Sequence, residues 1–409
     1  MHIIKIILLT LLLASANMLW ATEKGTTETS TDSIQISLLT CAPGEELYAL
    51  FGHTAIRYKD SRLGIDAVFN YGMFSFNTPN FMLRFALGQT DYELGVSSYE
   101  RFASEYEYYG RSVWQQPLNL TQEEKQTLIA LLETNSRPEN RIYRYNFFYD
   151  NCATRPRDII EECINGEVIY EADSTQRNNR QTFRSIVHQY TNKHPWAQFG
   201  IDLCIGSEAD RPISDRQMMF APSYLMNFFS TAQIIAQGKS RSLVTGIEKM
   251  VDCEKYSVAQ SLEGEQTTNL PTPLQAALML FILTAGATIY GLKKQKGLWG
   301  IDLVIFTAAG AAGCVLAFLA LFSEHPAVSA NYLLLVFHPA QLLCLPFIIY
   351  STRKGKRSSY HLFNLLVLTF FILLFPLFPQ RFDLAVVPLA LCLLIRSASN
   401  LVLTYKHKK

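Results

Sequence analysis

Charged residues are scarce in this chain of 409 residues. They make up 17% of the sequence, whereas a soluble protein averages about 25%. Positive and negative charges are nearly equal, 36 against 35, which argues against a basic protein that binds nucleic acid. The scarcity is uneven, because residues 274–409 hold only three acidic and twelve basic side chains. A wholly soluble enzyme is thereby excluded.

The motifs that commonly hold metals and phosphates are also missing. The chain has no Cys-x-x-Cys, no His-Glu-x-x-His and no cluster of carboxylates, so we predict no metal site. It has no convincing phosphate-binding loop either, and we predict no cofactor. Five of its eight cysteines lie outside the apolar C-terminal part, and the four other than Cys152 allow three disulfide pairings, between which the sequence does not choose. These four are Cys41, Cys163, Cys204 and Cys253.

The N-terminus is typical of a secretory signal peptide, which we place at residues 1–21. Lys5 precedes an apolar run at 6–13, and small residues follow at 14–16. The run is too short to span a bilayer, although an uncleaved anchor is the alternative interpretation. We therefore expect the part of the chain that follows to be exported.

Long apolar stretches dominate the C-terminal third. They lie at residues 274–292, 300–322, 332–350, 362–378 and 384–403. Each is close to the ~20 residues that a membrane helix needs. We predict an all-α domain of five transmembrane helices over residues 274–405.

The basic residues of this domain predict its orientation. They cluster after the first, third and fifth stretches, whereas the other two loops hold only Arg381. Because positive charge stays on the cytoplasmic side, the C-terminus is predicted to be cytoplasmic and residues 22–273 periplasmic. The signal peptide independently requires the same arrangement. We predict a multi-pass protein of the inner (cytoplasmic) membrane.

The exported part alternates strand and helix patterns, which is typical of an α+β domain. Strand patterns occur at 33–40, 53–59, 67–71 and 142–147, the second and third forming a hairpin. A capping box at Thr121 starts one helix, and a second helix runs from Cys152 to about Cys163. We divide this part into a core at 22–170, an extension at 171–250 and a linker at 251–273.

Cys152 is the candidate nucleophile. A thiol reacts as thiolate, and a helix N-terminus with a neighbouring imidazole lowers its pKa from the usual ~8.5. Cys152 lies at or near a predicted helix N-terminus, and His53 opens a strand beside Gly52. The plainer interpretation is a buried cysteine and a buried histidine that both belong to the core.

A Gly-His on the first strand of a hairpin, followed much later by Asn-Cys at the head of a helix, supports the catalytic interpretation. This order resembles the permuted papain-like fold of lecithin:retinol acyltransferase and its phospholipid-acyltransferase relatives. In that family a third polar residue on the next strand orients the imidazole, and Asn70 matches its place. An amide oxygen can fix the tautomer of the ring without adding charge.

Three segments and the membrane part together extend the resemblance. The segments are Phe51-Gly52-His53-Thr54-Ala55, Asn70-Tyr71-Gly72 and residues 146–155. With the five apolar stretches, they resemble the bacterial Lnb-type lipoprotein N-acyltransferases. The resemblance implies transfer of a fatty acyl chain to the N-terminal cysteine amine of a diacylglyceryl lipoprotein. The residues fit a scheme in which Cys152 first takes the chain from a phospholipid ester as a thioester. The sequence leaves open whether the donor is a separate phospholipid or the lipoprotein's own glyceryl esters. The expected partners are therefore the membrane, a phospholipid donor and a lipoprotein acceptor.

The resemblance also assigns roles to residues. Cys152, His53 and Asn70 form the expected catalytic set. Four neighbours are expected to contact the substrates: Tyr71, Tyr149, Asn151 and Arg155. For Arg155 the alternative is an ordinary surface or ion-paired arginine.

Several interpretations remain open. A membrane-tethered thiol hydrolase, either a cell-wall amidase or a lipase, would use the same Cys152 and His53, and a non-enzymatic receptor or assembly factor is a further alternative. The segment at 78–85 starts like a helix, and we expect it to contact either lipid or the core. Within the apolar stretches, we expect Arg396 to reach the cytoplasmic surface and Asp302 to lie at the interface.

Overall fold

The computed structural model describes residues 33–75, 77, 79–170, 181–253 and 270–406. The predicted signal peptide, most of the linker at 251–273 and part of the extension lie outside the described residues. Within them, a sheet-rich part precedes a helical part, in the predicted order.

The described strands of the exported part form two antiparallel sheets. They are β1 (Ile34–Cys41), β2 (His53–Asp60), β3 (Ile65–Met73), β4 (Asp91–Ser98), β5 (Val113–Pro117), β6 (Ile142–Arg144), β7 (Glu167–Ile169), β8 (Gln233–Ala236), β9 (Lys239–Ser242) and β10 (Glu248–Val251). The larger sheet has the order β10-β5-β1-β2-β3-β4-β6, and the smaller has β7-β8-β9. The predicted hairpin is confirmed, because β2 pairs with β3 in antiparallel register.

Helices are interspersed among these strands, as expected for an α+β domain. They are α1 (Phe81–Ala86), α2 (Tyr99–Tyr108), α3 (Gln122–Ser136), α4 (Thr154–Cys163), α5 (Phe183–Thr191), α6 (Pro195–Cys204), α7 (Asp215–Met218) and α8 (Pro222–Thr231). Helix α3 begins as predicted, because Thr121 and Glu124 form a reciprocal capping box. Helix α1 begins three residues later than position 78, with Asn80 as its N-cap in a left-handed conformation.

The larger sheet is buried on both faces. Side chains alternate along β1, so that Ile36 and Leu38 join a core with helices α3 and α4. Leu39 and Cys41 point the other way and pack with Phe102 of α2. Burial on both faces explains why β1 is apolar along almost its whole length.

The membrane part begins with two long helices and ends with a third. Its helices are α9 (Pro273–Lys294), α10 (Trp299–Phe322), α11 (Ala340–Leu343), α12 (Leu345–Lys354), α13 (Ser359–Leu373) and α14 (Val386–Lys406). Among the described residues, α9, α10 and α14 are long and apolar enough to cross a membrane. Three of the five predicted spans are thus continuous helices.

The other two predicted spans have a different form. Residues 332–350 are not one helix, because a 3-10 turn at Tyr332–Leu335 is followed by the short α11 and α12. Pro339 and Pro346 lie at the two starts, where a proline removes a backbone donor and disfavours helix before it. The fourth span contains the 15-residue α13, and Pro376 follows it.

A buried ion pair joins α10 to α14. Arg396 donates to Asp302 over 2.7 Å, and the two residues are 1% and 0% exposed. Asn400 donates to the same carboxylate, and Thr288 of α9 accepts from Arg396. The expectation that Arg396 reaches the surface is therefore wrong, because its side chain is buried in the bundle against the carboxylate of Asp302. Asp302 lies in the first turn of α10, and its interfacial position stays a prediction.

The exported part rests on the two loops that hold few basic residues. Asn331 donates to the Leu203 carbonyl over 2.7 Å, and Gly206 donates to the Ala327 carbonyl over 2.7 Å. In the second loop, the Arg381 backbone donates to Asp210 over 3.1 Å. Both loops are those that the charge pattern assigns to the exported side.

Candidate active site

The imidazole of His53 and the amide of Asn70 lie on neighbouring strands. His53 is the first residue of β2 and pairs in register with Cys41 of β1. Its Nε2 is hydrogen-bonded to Oδ1 of Asn70 on β3. Because an amide oxygen only accepts, Nε2 carries the proton and Nδ1 keeps a free lone pair. The predicted pairing of these two residues is present.

Gly72 brings this pair close to Cys152. The ladder between β3 and β4 has a bulge between Asn70 and Met73, and Gly72 within it has φ +90°. A Cβ added at Gly72 would lie 3.2 Å from the Cβ of Cys152 and 3.9 Å from Cε1 of His53. Those two atoms are therefore within about 7 Å of each other.

The turn before β2 is held tightly. Gly52 has φ +78°, and a Cβ there would lie 2.5 Å from the Cys41 carbonyl oxygen. Only glycine permits this approach. Arg111 donates twice to the Ala42 carbonyl, over 2.9 and 2.7 Å, and its charge also reaches His53.

Asn151 holds the turn that carries Cys152. Its Oδ1 accepts from the backbone of Ala153 and of Thr154, over 2.8 and 2.9 Å. Its Nδ2 donates to the carbonyls of Phe147 and Phe220, over 2.7 and 2.9 Å. These four bonds engage the whole amide. Cys152 then lies two residues before α4 begins, close to the predicted helix start.

Burial sets the ionisation of both reactive groups. It raises the pKa of the Cys152 thiol to about 11, although hydrogen bonds from the backbone of Thr54 and of Cys152 lower it. It lowers the pKa of His53 to about 4, although the hydrogen bond that His53 donates to Asn70 raises it, and the charge of Arg111 lowers it further. The expectation of a depressed thiol pKa is wrong for the protein without a bound substrate, because loss of hydration outweighs the helix terminus. At neutral pH the pair is a thiol and a neutral imidazole.

The sequence reasoning missed two tyrosines near Cys152, Tyr143 and Tyr145. Burial, followed by the charge of Cys152, raises the pKa values of Tyr92, Tyr143 and Tyr145. The rings of Tyr92 and Tyr145 are 4.0 Å apart. Within the described residues, the buried Tyr143 hydroxyl has no hydrogen-bond partner. Their only signal in the sequence was an aromatic residue on a strand, which more often indicates core.

The four residues expected to contact substrate differ in their exposure and in their bonding partners. Asn151 is engaged as described. Tyr71 is buried, and its hydroxyl accepts from Asn135 over 3.2 Å. Arg155 is ion-paired with Asp150 over 2.6 Å and lies 3.6 Å from the centroid of the Tyr143 ring. Tyr149 is exposed, with its ring edge on Phe183.

The remaining cysteines are all thiols. Each of the eight is described and unpaired, so none of the three disulfide pairings is present. Cys41 lies on the strand beside His53, and burial raises its pKa to about 12. Among the residues that the structure describes, no three His, Cys, Asp or Glu side chains are grouped to hold a metal.

Two family models match the chain. Residues 21–189 match the Lnb N-terminal periplasmic domain, and residues 265–408 match the Lnb transmembrane domain. Comparison with curated proteins and with solved structures gives no match. The first matched region contains strands β1 to β7 and the Cys152 site, and the second contains the helical part. The chain therefore belongs to the Lnb family, with an exported N-terminal domain followed by a transmembrane domain.

Proposed function

We propose that this protein is a lipoprotein N-acyltransferase in which Cys152 is the nucleophile and His53 the general base. The observation that carries the proposal is the His53–Asn70 pair packed across Gly72 from Cys152. Membership of the Lnb family supports the same reaction class. The order of the site residues, with a His–Asn hairpin before the Cys helix, supports a permuted papain-like domain at 22–170.

The first step forms a thioester. His53 Nδ1 takes the proton of the Cys152 thiol as its sulfur attacks a phospholipid ester carbonyl. The backbone N–H of Cys152 and the hydroxyl of Tyr143 are the donors that we assign to the oxyanion. When the ester C–O bond breaks, the imidazolium returns its proton to the leaving lysophospholipid oxygen. The acyl group then remains on sulfur.

The second step forms an amide. The N-terminal amine of a diacylglyceryl lipoprotein attacks the thioester, and His53 takes the proton that the nitrogen loses. Collapse breaks the C–S bond, and the thiolate recovers that proton. Ester to thioester to amide is downhill overall, so the scheme uses no nucleotide and no cofactor.

The contacts around Cys152 and His53 support a role for each of the neighbouring residues. Asn70 holds the His53 tautomer, and Asn151 positions Cys152 by fixing its turn. Tyr149 is exposed and can contact a substrate. Arg155 contributes to the site through its ion pair with Asp150, not through contact with a substrate. A neutral thiol and imidazole also suit a site that receives an apolar chain, since no charge has to be desolvated before reaction.

We propose the inner membrane as the location, with the site on the periplasmic side and the C-terminus in the cytoplasm. The clusters of basic residues in the loops support this orientation. The contacts of the exported part with the loops at 323–331 and 380–381 are consistent with it.

Mass spectrometry of a reporter lipoprotein tests the proposal. The reporter is made in a host that lacks its own N-acyltransferase and expresses the native chain, Cys152→Ala or the matched control Cys253→Ala. We expect a third acyl chain on the amine with the native chain and the control, and a diacyl peptide with Cys152→Ala. The proposal would be contradicted if the native protein and both variants are present in the membrane and the reporter peptide is diacylated with each of them. Release of free fatty acid in its place would indicate the thiol hydrolase.

A further inference from the structure

Helix α1 exposes large apolar side chains beside the site. It follows β3, the strand that carries Asn70 and Gly72, and is only six residues long. Met82 and Leu83 are 71% and 50% exposed, and Phe85 is also exposed. Such a cluster on a short surface helix marks a contact with lipid or with another molecule.

The end of α1 is fixed to the outer end of membrane helix α10. Ser323, the residue after α10, donates to the Ala86 carbonyl over 2.8 Å. Glu324 donates from its backbone to the Leu87 carbonyl over 2.8 Å. His325 is hydrogen-bonded to the Phe85 carbonyl over 3.0 Å. Helix α1 therefore sits at the level where the membrane helix ends.

The apolar surface of α1 continues onto a surface that faces lipid. The last two residues of α10, Leu321 and Phe322, are both exposed, and this helix is apolar enough to cross the membrane. Side chains at the end of such a span meet the outer leaflet. The continuity of the two surfaces favours lipid over a soluble partner as the occupant of the α1 face.

A row of aromatic rings connects α1 to Cys152. Phe85 stacks with Phe81 at 6.3 Å between centroids, and Phe81 stacks with Phe74 at 5.4 Å. Phe74 stacks with Tyr92 at 5.1 Å, and Tyr92 packs on Tyr145 at 4.0 Å. Phe74 follows Gly72 by two residues, and a Cβ added at Gly72 would lie 3.2 Å from the Cβ of Cys152. The row thus has one end at the membrane surface and the other at the nucleophile.

We infer that α1 lies in the outer leaflet and that the acyl chain of the phospholipid donor reaches Cys152 along this row of rings. The inference rests on the proposed function for the identity of the donor. It adds the route of entry and the element that contacts the bilayer. The apolar rings replace the acyl environment of the leaflet as the chain leaves it.

Photo-crosslinking tests the lipid contact without requiring the reaction. Benzoylphenylalanine replaces Met82 in the full chain, reconstituted in vesicles of phosphatidylethanolamine and phosphatidylglycerol. The matched control replaces Leu63, which is 59% exposed in the turn at the other end of β3. That turn is about 25 Å from the α1 end of the strand at ~3.3 Å per residue. We expect about tenfold more phospholipid adduct at position 82 than at 63; equal yields, or none at 82, would overturn the inference.

The donor route is tested by charge on α1. We expect Met82→Asp combined with Leu83→Asp to lower acyl transfer from vesicles by about tenfold or more, and Leu63→Asp to leave it unchanged. Alkylation of Cys152 by iodoacetamide at the native rate shows that the variant site is folded. Native transfer by the double variant would contradict the route. If the chain with benzoylphenylalanine at position 82 crosslinks to phospholipid but the native chain acylates no lipoprotein, the proposed function fails and the lipid contact stands.

Discussion

At the scale of single residues, burial decides the resting state of the Cys152–His53 pair. The local patterns Gly-His and Asn-Cys pointed to His53 and Cys152 as candidates, and the family resemblance added Asn70. Their ionisation was not predictable, since it depends on desolvation by side chains from distant segments. The helix terminus was visible in the sequence, but the burial that outweighs it was not.

The pH dependence of Cys152 alkylation follows from the two pKa values. With a thiol pKa of about 11, the thiolate fraction rises about tenfold per pH unit between pH 7 and 9. His53, with a pKa of about 4, stays neutral throughout that range. We expect the rate of iodoacetamide labelling, followed on the Cys152 peptide by mass spectrometry, to rise across the range. A plateau would indicate a preformed thiolate–imidazolium pair and contradict the assignment.

The Tyr143 hydroxyl provides a second test at this scale. Because it has no partner in the described part of the chain, Tyr143→Phe should leave the thermal unfolding midpoint unchanged or slightly raised. Loss of an oxyanion donor should lower acyl transfer by about 10²-fold. The exposed Tyr108→Phe is the matched control and should transfer normally. Native activity in Tyr143→Phe would remove this residue from the oxyanion site.

At the scale of elements, local chemistry predicted the hairpin and helix α3 well. Alternation of side chains and the capping box at Thr121 are properties of short segments, and both are present. The third membrane span was predicted as one helix from its apolar length alone. The prolines at 339 and 346 carried the information that it is interrupted.

The bulge at Gly72 was not predictable, because it depends on how β3 pairs with β4. Gly72→Ala places a Cβ 3.2 Å from that of Cys152 on a backbone with φ +90°. We expect loss of stability of about 1–2 kcal/mol and a large loss of acyl transfer. Gly64→Ala is the matched control, since its φ is +66° with no atom within 4 Å of the added Cβ. Chemical denaturation should show a similar cost of backbone strain in both variants. Acyl transfer should be lost only in Gly72→Ala. Equal transfer by the two variants would contradict the role of the contact between residue 72 and Cys152.

At the scale of the whole molecule, the charge pattern predicted which loops meet the exported part. It did not predict the Asp302–Arg396 pair, whose members are far apart in the sequence and were each assigned to a surface. Ion pairing inside a bundle depends on which helices are neighbours. That information is absent from the hydropathy of each span.

This pair gives a stability prediction for the membrane domain. Arg396→Leu leaves Asp302 buried without its countercharge, and we expect a cost of about 3–5 kcal/mol. Asp302→Asn combined with Arg396→Leu removes both charges and should recover much of the loss. Thermal unfolding in detergent measures the difference. A double variant no more stable than the single one would show that the ion pair is not what holds these helices.

The thioester on Cys152 is the central claim of this account. The most direct measurement is the mass of the Cys152 peptide after the full chain is incubated with phospholipid vesicles in the absence of a lipoprotein acceptor. We expect a fatty acyl adduct on Cys152 that hydroxylamine removes, and much less of it in His53→Ala. An unmodified Cys152 in a protein that still acylates lipoproteins would contradict the mechanism.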